Sequence, residues 1–378
     1  MAKFNGAYKI LLYTLLLFLF LPCPGDGQPP ITIGNCPTEL TTRPPLTARY
    51  LFIVTTDGFR WQEIFAGADS ALLFDPASVV LDTAGTAGHF WAATSEARRM
   101  ALLPFLWSTF AHEGQLFGNR RYDNNMDIAN RWAFSYPGYN EMFTGRPDNW
   151  RIFSNQKIRN PNKNVLEFFQ QQPQLRDKVA AFTSWEAFPY ILNARRAGIL
   201  VSSGRKNRHS DVRLPPGKLD DPFTWAAGMQ YLRKQRPQVL YIALNATDLL
   251  GHAGNYPAYL EAAHQFDKYL SELWAFIEQD SMYSGRSTLL ITTDHGRGGE
   301  TVQRWMEHNR HLPGSEQVWL GIMGPDISPL GELRMPMQLW QQQLAQTAAQ
   351  LMGLEFRRSR KVAPAIIFDG HSSKAERL

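Results

Sequence analysis

Three short, nearly continuous apolar runs, each followed closely by an aspartate, constrain this chain more than any other feature. They are Tyr50–Thr55 ahead of Asp57, Gln238–Leu244 ahead of Asp248, and Ser287–Thr293 ahead of Asp294. Runs of that length without polar alternation are buried on both faces, as in a parallel sheet covered by helices. Helix-like stretches supply the cover. Trp225–Gln235 precedes the second run and Ala258–Glu278 the third. A fourth run, Gln317–Met323, stops at Gly324-Pro325, and a helical pattern from Met337 to Met352 ends at Gly353. Helices alternating with buried strands predict an α/β sheet with helices on both faces. The carboxyl edge of such a sheet is where ligands bind, and all three aspartates fall there. Three carboxylates at neighbouring strand ends repel one another unless a cation sits among them.

Composition narrows the function classes. The chain has 378 residues, 44% hydrophobic and 19% charged, which is too apolar for wholesale disorder. Its net charge of +5 is spread without a dense Lys/Arg block, so no nucleic-acid polymer is expected as partner. Two cysteines make neither a disulfide scaffold nor a four-cysteine zinc site. Residues 1–27 are expected to be a signal peptide. Lys3 and Lys9 precede a twelve-residue stretch, Ile10 to Leu21, broken only by Tyr13 and Thr14, and Cys23, Gly25 and Gly27 follow as small residues near a cleavage point. That stretch is short for a bilayer span, and a lipoprotein cleavage at Cys23 is disfavoured by Pro22. The expected organisation is an extended Pro- and Thr-rich lead-in over 28–47, a catalytic domain over 48–356 and a basic tail over 357–378. The expected location is periplasmic or extracellular, with no membrane span once the signal is removed.

The chemistry-bearing residues gather around the strand ends. Asp248 and His252 are four apart, which places both on one face of a helical turn. Asp294 and His295 are adjacent at the end of a buried run, and Gly296 follows them. Asp57 adds a third carboxylate, and His308 or His311 lies downstream before the fourth run. This inventory supplies two metal sites: Asp57, Asp294 and His295 for one, Asp248, His252 and a further histidine for the other. Mixed Asp/His donors favour zinc, with manganese or iron as alternatives. Two such cations form the clamp used for in-line displacement at phosphorus. Ser135, in Phe134-Ser135-Tyr136-Pro137-Gly138-Tyr139-Asn140, is the candidate nucleophile, placed to open a helix whose N-terminus attracts a phosphate. Asn140 is the candidate donor to a phosphoryl oxygen. Arg60 and Arg297 stand next to motif residues, as anion contacts or as surface ion pairs.

Thr56-Asp57-Gly58, Ser135-Tyr136-Pro137, Asp248-x-x-x-His252 and Thr293-Asp294-His295-Gly296, in that order, resemble the alkaline phosphatase superfamily. The closest branch is the nucleotide pyrophosphatase/phosphodiesterase-like one, and the resemblance spans roughly residues 50–353. It implies a central mixed, mostly parallel sheet between helices, with two zinc ions at the carboxyl edge. It places Asp57, Ser135, Asp294 and His295 around one ion and Asp248 and His252 around the other. The last ligand of the family is a histidine of variable position, assigned here to His308 with His311 as the alternative. Trp305 can seat the loop near His308, whereas His311 lies where the chain turns at Leu312-Pro313-Gly314. The implied activity is hydrolysis of a small phosphate ester through a phosphoseryl-type intermediate. Two departures matter. The branch has Thr followed by Phe-Pro-Asn where this chain has Ser followed by Tyr-Pro-Gly. Sulfatases share the fold with a C/S-x-P-x-R signature, and here Tyr139 stands in place of its Arg. A sulfatase-like enzyme, a phosphomutase or phospho-group transferase, and a non-catalytic metal-stabilised relative are the competing readings.

Overall fold

The computed structural model describes residues 46–75, 83–203, 221–299, 303–356 and 362–368. All lie in one unit, Pro44–Leu378. The expected signal peptide and most of the lead-in fall outside the described residues.

Eight strands form one sheet: β1 (Tyr50–Thr56), β2 (Gly114–Phe117), β4 (Val179–Thr183), β5 (Leu200–Ser203), β6 (Val239–Leu244), β7 (Ser287–Thr292), β8 (Leu320–Met323) and β9 (Gly331–Glu332). Their order is β5-β4-β6-β1-β7-β8-β2-β9. The pairs from β5 to β7 are parallel, β8 is antiparallel to both β7 and β2, and β9 runs parallel to β2. The sheet is thus mixed and mostly parallel. β3 (Asn124–Asp127) and β10 (Met337–Trp340) make a separate two-stranded parallel ribbon.

The apolar runs work as expected because strand side chains alternate between faces. On β1, Phe52 and Val54 join one core cluster, and Leu51 and Ile53 join the other. The first cluster is closed by the Asp221–Gln235 and Tyr256–Gln279 helices, through residues such as Leu232, Leu260 and Phe266. The second is closed by the Ser135–Thr144, Val165–Gln171 and Leu344–Leu351 helices, through Met142, Phe143, Leu166 and Ala348. Each fully buried aliphatic side chain of this kind contributes about 1.5–3 kcal/mol. Two faces, each needing a helical layer, give three layers.

Two expectations are corrected. The helix read over Met337–Met352 is strand β10, then a 3-10 turn at Gln341–Gln343, then the Leu344–Leu351 helix. Pro336 precedes this segment, and the Met337 amide is taken by the Asp123 carbonyl rather than by a helical turn. The fourth run is a strand only over Leu320–Met323. Residues 362–368 of the stretch read as basic tail bond to earlier elements. In the part read as basic tail, Ala363 N–H donates to Gly145 O at 2.9 Å and Ile366 N–H to Thr347 Oγ1 at 2.9 Å. Ile366 is buried and Phe368 packs on Phe117.

Candidate active site

β6, β1 and β7 are adjacent, so the three aspartates that follow them meet at one carboxyl edge. Asp57 lies directly after β1, Asp294 two residues after β7, and Asp248 in the Ala246–His252 helix after β6. The turn after β1 is tight. Gly58 has φ +57°, and a Cβ there would lie 2.8 Å from Asp248 Oδ1 and 2.9 Å from an Arg297 nitrogen. Only glycine fits. Its N–H donates to Asp294 Oδ1 at 3.1 Å.

Ser135 opens the ten-residue Ser135–Thr144 helix, after an extended Phe134. Its hydroxyl is buried, 3.2 Å from His295 Nε2 and 3.4 Å from Asp57 Oδ1. The helix comes this close because position 138 is glycine: a Cβ there would be 2.4 Å from the Asp294 carbonyl oxygen. Gly138 is where the motif departs from Phe-Pro-Asn, so close packing of the helix on β7's end accounts for the residue found. Gln341 clamps the contact, donating to both Gly138 O and Asp294 O.

The two imidazoles are held in a definite tautomer. His295 Nδ1 lies 2.8 Å from Gly296 O, and His308 Nδ1 lies 2.7 Å from Ala133 O. A carbonyl only accepts, so each Nδ1 carries the proton and each Nε2 presents a lone pair; the assignment is inferred from these bonds. The rings stack with centroids 3.7 Å apart. His295 Nε2 faces Asp57 Oδ1 at 3.3 Å and Asp294 Oδ2 at 3.5 Å. His308 Nε2 faces His252 Nε2 at 3.1 Å and Asp248 Oδ1 at 3.6 Å. Burial pushes the His295 pKa down to about 4 and, with His295 beside it, that of His308 to about 3, so both are neutral near pH 7. These contacts are therefore not ion pairs. The His295 and His308 lone pairs point into the group of carboxyls.

That arrangement fits cations. The ligand atoms of Asp57, Asp294 and His295 lie within 4.8 Å of one another, as do those of Asp248, His295 and His308. Asp294 Oδ2 is buried without a hydrogen-bond partner, an orphan that a metal ion would satisfy. His252, 3.4 Å from Asp248 Oδ2, stands at the outer edge of the second group. Burial and Asp248 raise the Asp57 pKa to about 7, and burial and Asp57 raise that of Asp294 well above the carboxylate range. Burial also pushes Asp248 up, but Arg297 and the imidazoles pull it down to about 2.

Among the described residues, Arg297 is the cation between the strand ends. It is buried, ion-paired to Asp248, and donates to the Trp305 and Met306 carbonyls. It therefore seats the loop that carries His308 and is not a surface pair. Arg60 is not one either: it is buried against Glu63 and Asp69. Arg297→Ala is expected to destabilise the fold by about 3–5 kcal/mol, because Asp248 is left as an unpaired buried charge and two carbonyls lose the fork that bonds them. Chemical denaturation checks this; a change within half a kcal/mol, on the order of a surface substitution, would show that the fork is dispensable.

One expected residue is placed elsewhere, and the alternative histidine lies outside the site. Asn140 lies in the same helix, but its Oδ1 accepts from Asn160 and Asn162 and its Nδ2 reaches Arg146 O. Five residues along a helix is about 140° round from Ser135, whereas four is about 40°. The residue on Ser135's face is Tyr139, whose hydroxyl donates to Asp57 Oδ2 at 3.2 Å. Burial and the two carboxylates keep that phenol protonated. His311 is exposed and beside Arg310, outside the cluster that His308 joins. Of the remaining histidines, His89 is exposed near Glu261 and His264 bonds the Leu102 carbonyl.

A mixed sheet with a carboxylate–imidazole cluster at its carboxyl edge defines an alkaline phosphatase-like hydrolase fold. The chain belongs to the type I phosphodiesterase / nucleotide pyrophosphatase family, whose profile matches residues 76–357. Similar solved structures include the lipoteichoic acid synthase LtaP from Listeria monocytogenes, with a TM-score of 0.55 and 12% identity over 82% of this chain and 72% of that one. The phosphonate monoester hydrolase SpPMH from Silicibacter pomeroyi has a TM-score of 0.51 and 13% identity over 87% and 78%. The phosphonate monoester hydrolase of Agrobacterium radiobacter has a TM-score of 0.52 and 12% identity over 87% and 79%. At such identities these show the fold alone. No curated protein matches the chain. The superfamily uses divalent metal ions, and its members hydrolyse phosphoesters and sulfates.

Proposed function

We propose that this chain is an exported, two-metal hydrolase of small phosphate esters that works through Ser135. The observation that carries the reading is a hydroxyl at a helix N-terminus, 3.2 Å from His295 and 3.4 Å from Asp57, beside carboxylate and imidazole ligand atoms that lie within 4.8 Å of one another. Asp57, Asp294, His295 and Ser135 would hold one ion, and Asp248, His252 and His308 the other. Bound there, zinc-class ions acidify a hydroxyl and neutralise charge on phosphoryl oxygens. The dipole of the Ser135–Thr144 helix favours the anionic phosphoryl group at Oγ. Oγ loses its proton to water and bonds to phosphorus as the P–O bond to the leaving group breaks on the opposite side; the departing alkoxide takes a proton from water, and a further water cleaves the phosphoseryl ester and restores the Ser135 hydroxyl. Tyr139 orients Asp57 through its hydrogen bond.

A panel of nitrophenyl phosphate monoester, diester and sulfate tests the reading on zinc-loaded protein. Turnover of a phosphate is expected. Turnover of sulfate alone would favour the sulfatase-like reading, against which Tyr139 stands in the Arg position. Turnover of none would leave a binding protein. Elemental analysis should find about two zinc-class ions per chain, by the ligand groups above.

His308→Ala should empty one ion position and reduce turnover at least about a hundredfold, as expected when a ligand held by its own hydrogen bond is lost. His311→Ala should change either by a few-fold at most. Metal content and kcat of both variants decide it, and the reverse order would reject His308 as a ligand.

A further inference from the structure

We infer that the face bordering the nucleophile's helix docks on an anionic lipid surface. Between the Ser135–Thr144 and Val165–Gln171 helices the chain carries Arg146, Arg151, Lys157, Arg159 and Lys163 and, within the stretch, Asp148, with Arg151 paired to Asp148 and Lys157 to Glu186 from a neighbouring segment. This one stretch holds most of the excess positive charge of a +5 chain. The same stretch exposes large apolar side chains: Trp150 is 83% exposed, Phe153 45% and Ile158 43%. Exposed apolar residues are ordinary when scattered, but several in one short basic stretch mark an interaction surface.

The patch continues onto neighbouring segments. The Arg131 guanidinium lies over the Trp132 ring at 4.9 Å and the Trp150 ring at 5.4 Å. Arg310 lies over Trp132 at 5.1 Å, and Phe153 packs on Trp132 with centroids 6.2 Å apart. Arg131 and Arg310 are exposed, and neither has a carboxylate within ion-pair distance among the described residues. The surface is also rigidly set. Trp132 Nε1–H donates to Asn149 O, Asn155 Oδ1 accepts from Tyr136 N–H, and Tyr136 O–H donates to Ile158 O. Indole rings with uncompensated guanidinium groups beside them suit the headgroup layer, where aromatics settle and basic residues meet anionic lipid. A concave small-molecule subsite would instead bury its aromatics, and Trp150 is the most exposed large apolar residue among the described residues. Trp132 is three residues before Ser135 and Arg310 two after His308, so docking here brings the lipid surface against the rim of the candidate site.

Hydrogen exchange of the full chain, resolved by peptide, tests this whatever the N-terminal segment does. Peptides over 146–160 are expected to exchange at least about threefold more slowly with phosphatidylcholine vesicles containing phosphatidylglycerol than with phosphatidylcholine alone, and high salt should remove the difference. Trp150→Ala and the double variant Arg131→Ala/Arg310→Ala should each lose that protection with an unchanged unfolding midpoint, since all three side chains are at the surface. Unchanged exchange with anionic vesicles overturns the inference. So does full protection by soluble heparin or polyphosphate without lipid, which would assign the patch to a soluble polyanion. Nitrophenyl ester turnover plays no part in this readout, so it stands or falls apart from the proposed reaction.

Discussion

Ser135→Ala is expected to lower kcat by about a thousandfold or more, as for removal of a covalent nucleophile, while fold and metal content stay as they were. The hydroxyl is one of several groups around the first ion position but the only nucleophile at the helix N-terminus. Its removal opens a small gap beside Asp57 and His295 and leaves their other contacts in place. Steady-state turnover of nitrophenyl esters, with elemental analysis of the same sample, separates the two effects. Near-wild-type turnover would mean that water or another residue attacks phosphorus, and the proposed mechanism would fall.

Chelation is expected to abolish turnover and to lower the melting temperature most near neutral pH. The sign follows from the site's own acids. Asp57 is raised to about 7 by burial and by Asp248, and Asp294 lies well above the ordinary carboxylate range for the same kind of reason. In the chelated protein the folded state therefore holds protons that the unfolded state has released. Its stability is greatest below the ordinary carboxylate pKa and falls as pH rises towards about 7. A bound cation replaces those protons, so the loaded protein should escape that loss. His295 and His308 are already neutral and add no proton competition. At a free ion concentration a hundred times Kd, loading adds about 2.7 kcal/mol. Melting curves from pH 5 to about 8, with and without chelator, should diverge as pH rises, as metal–proton competition requires. Parallel curves would show that no ion binds among these carboxylates.

Much of the catalytic edge was legible in the sequence because burial leaves a mark there. β1, β6 and β7 are long and apolar on both faces, so their ends, and with them Asp57, Asp248 and Asp294, could be read directly. Ser135 at a helix start was legible from the Pro and Gly that follow it. β2, β9 and β10 are two to four residues long and leave no run to detect. Tyr139 was within reach: counting helical periodicity from Ser135 selects it over Asn140. Arg297 carried no such signal. Its role depends on carbonyls of Trp305 and Met306 that a loop brings back to it, and nothing local in the sequence fixes a loop's path.

The adjacency of β6, β1 and β7 makes the cluster a reporter of completed folding. Its members run from Asp57 to His308, and each ligand group joins residues far apart in the chain: Asp57 with Asp294 and His295, Asp248 with His295 and His308. β7 must insert beside β1 before Asp294 and His295 arrive, and the loop beyond it must close before His308 does. A chain emerging from its amino end thus has no complete ligand group until roughly four-fifths of it has appeared. High-affinity uptake should then follow assembly of the sheet rather than guide it, and fragments lacking the C-terminal strands should hold such ions only weakly.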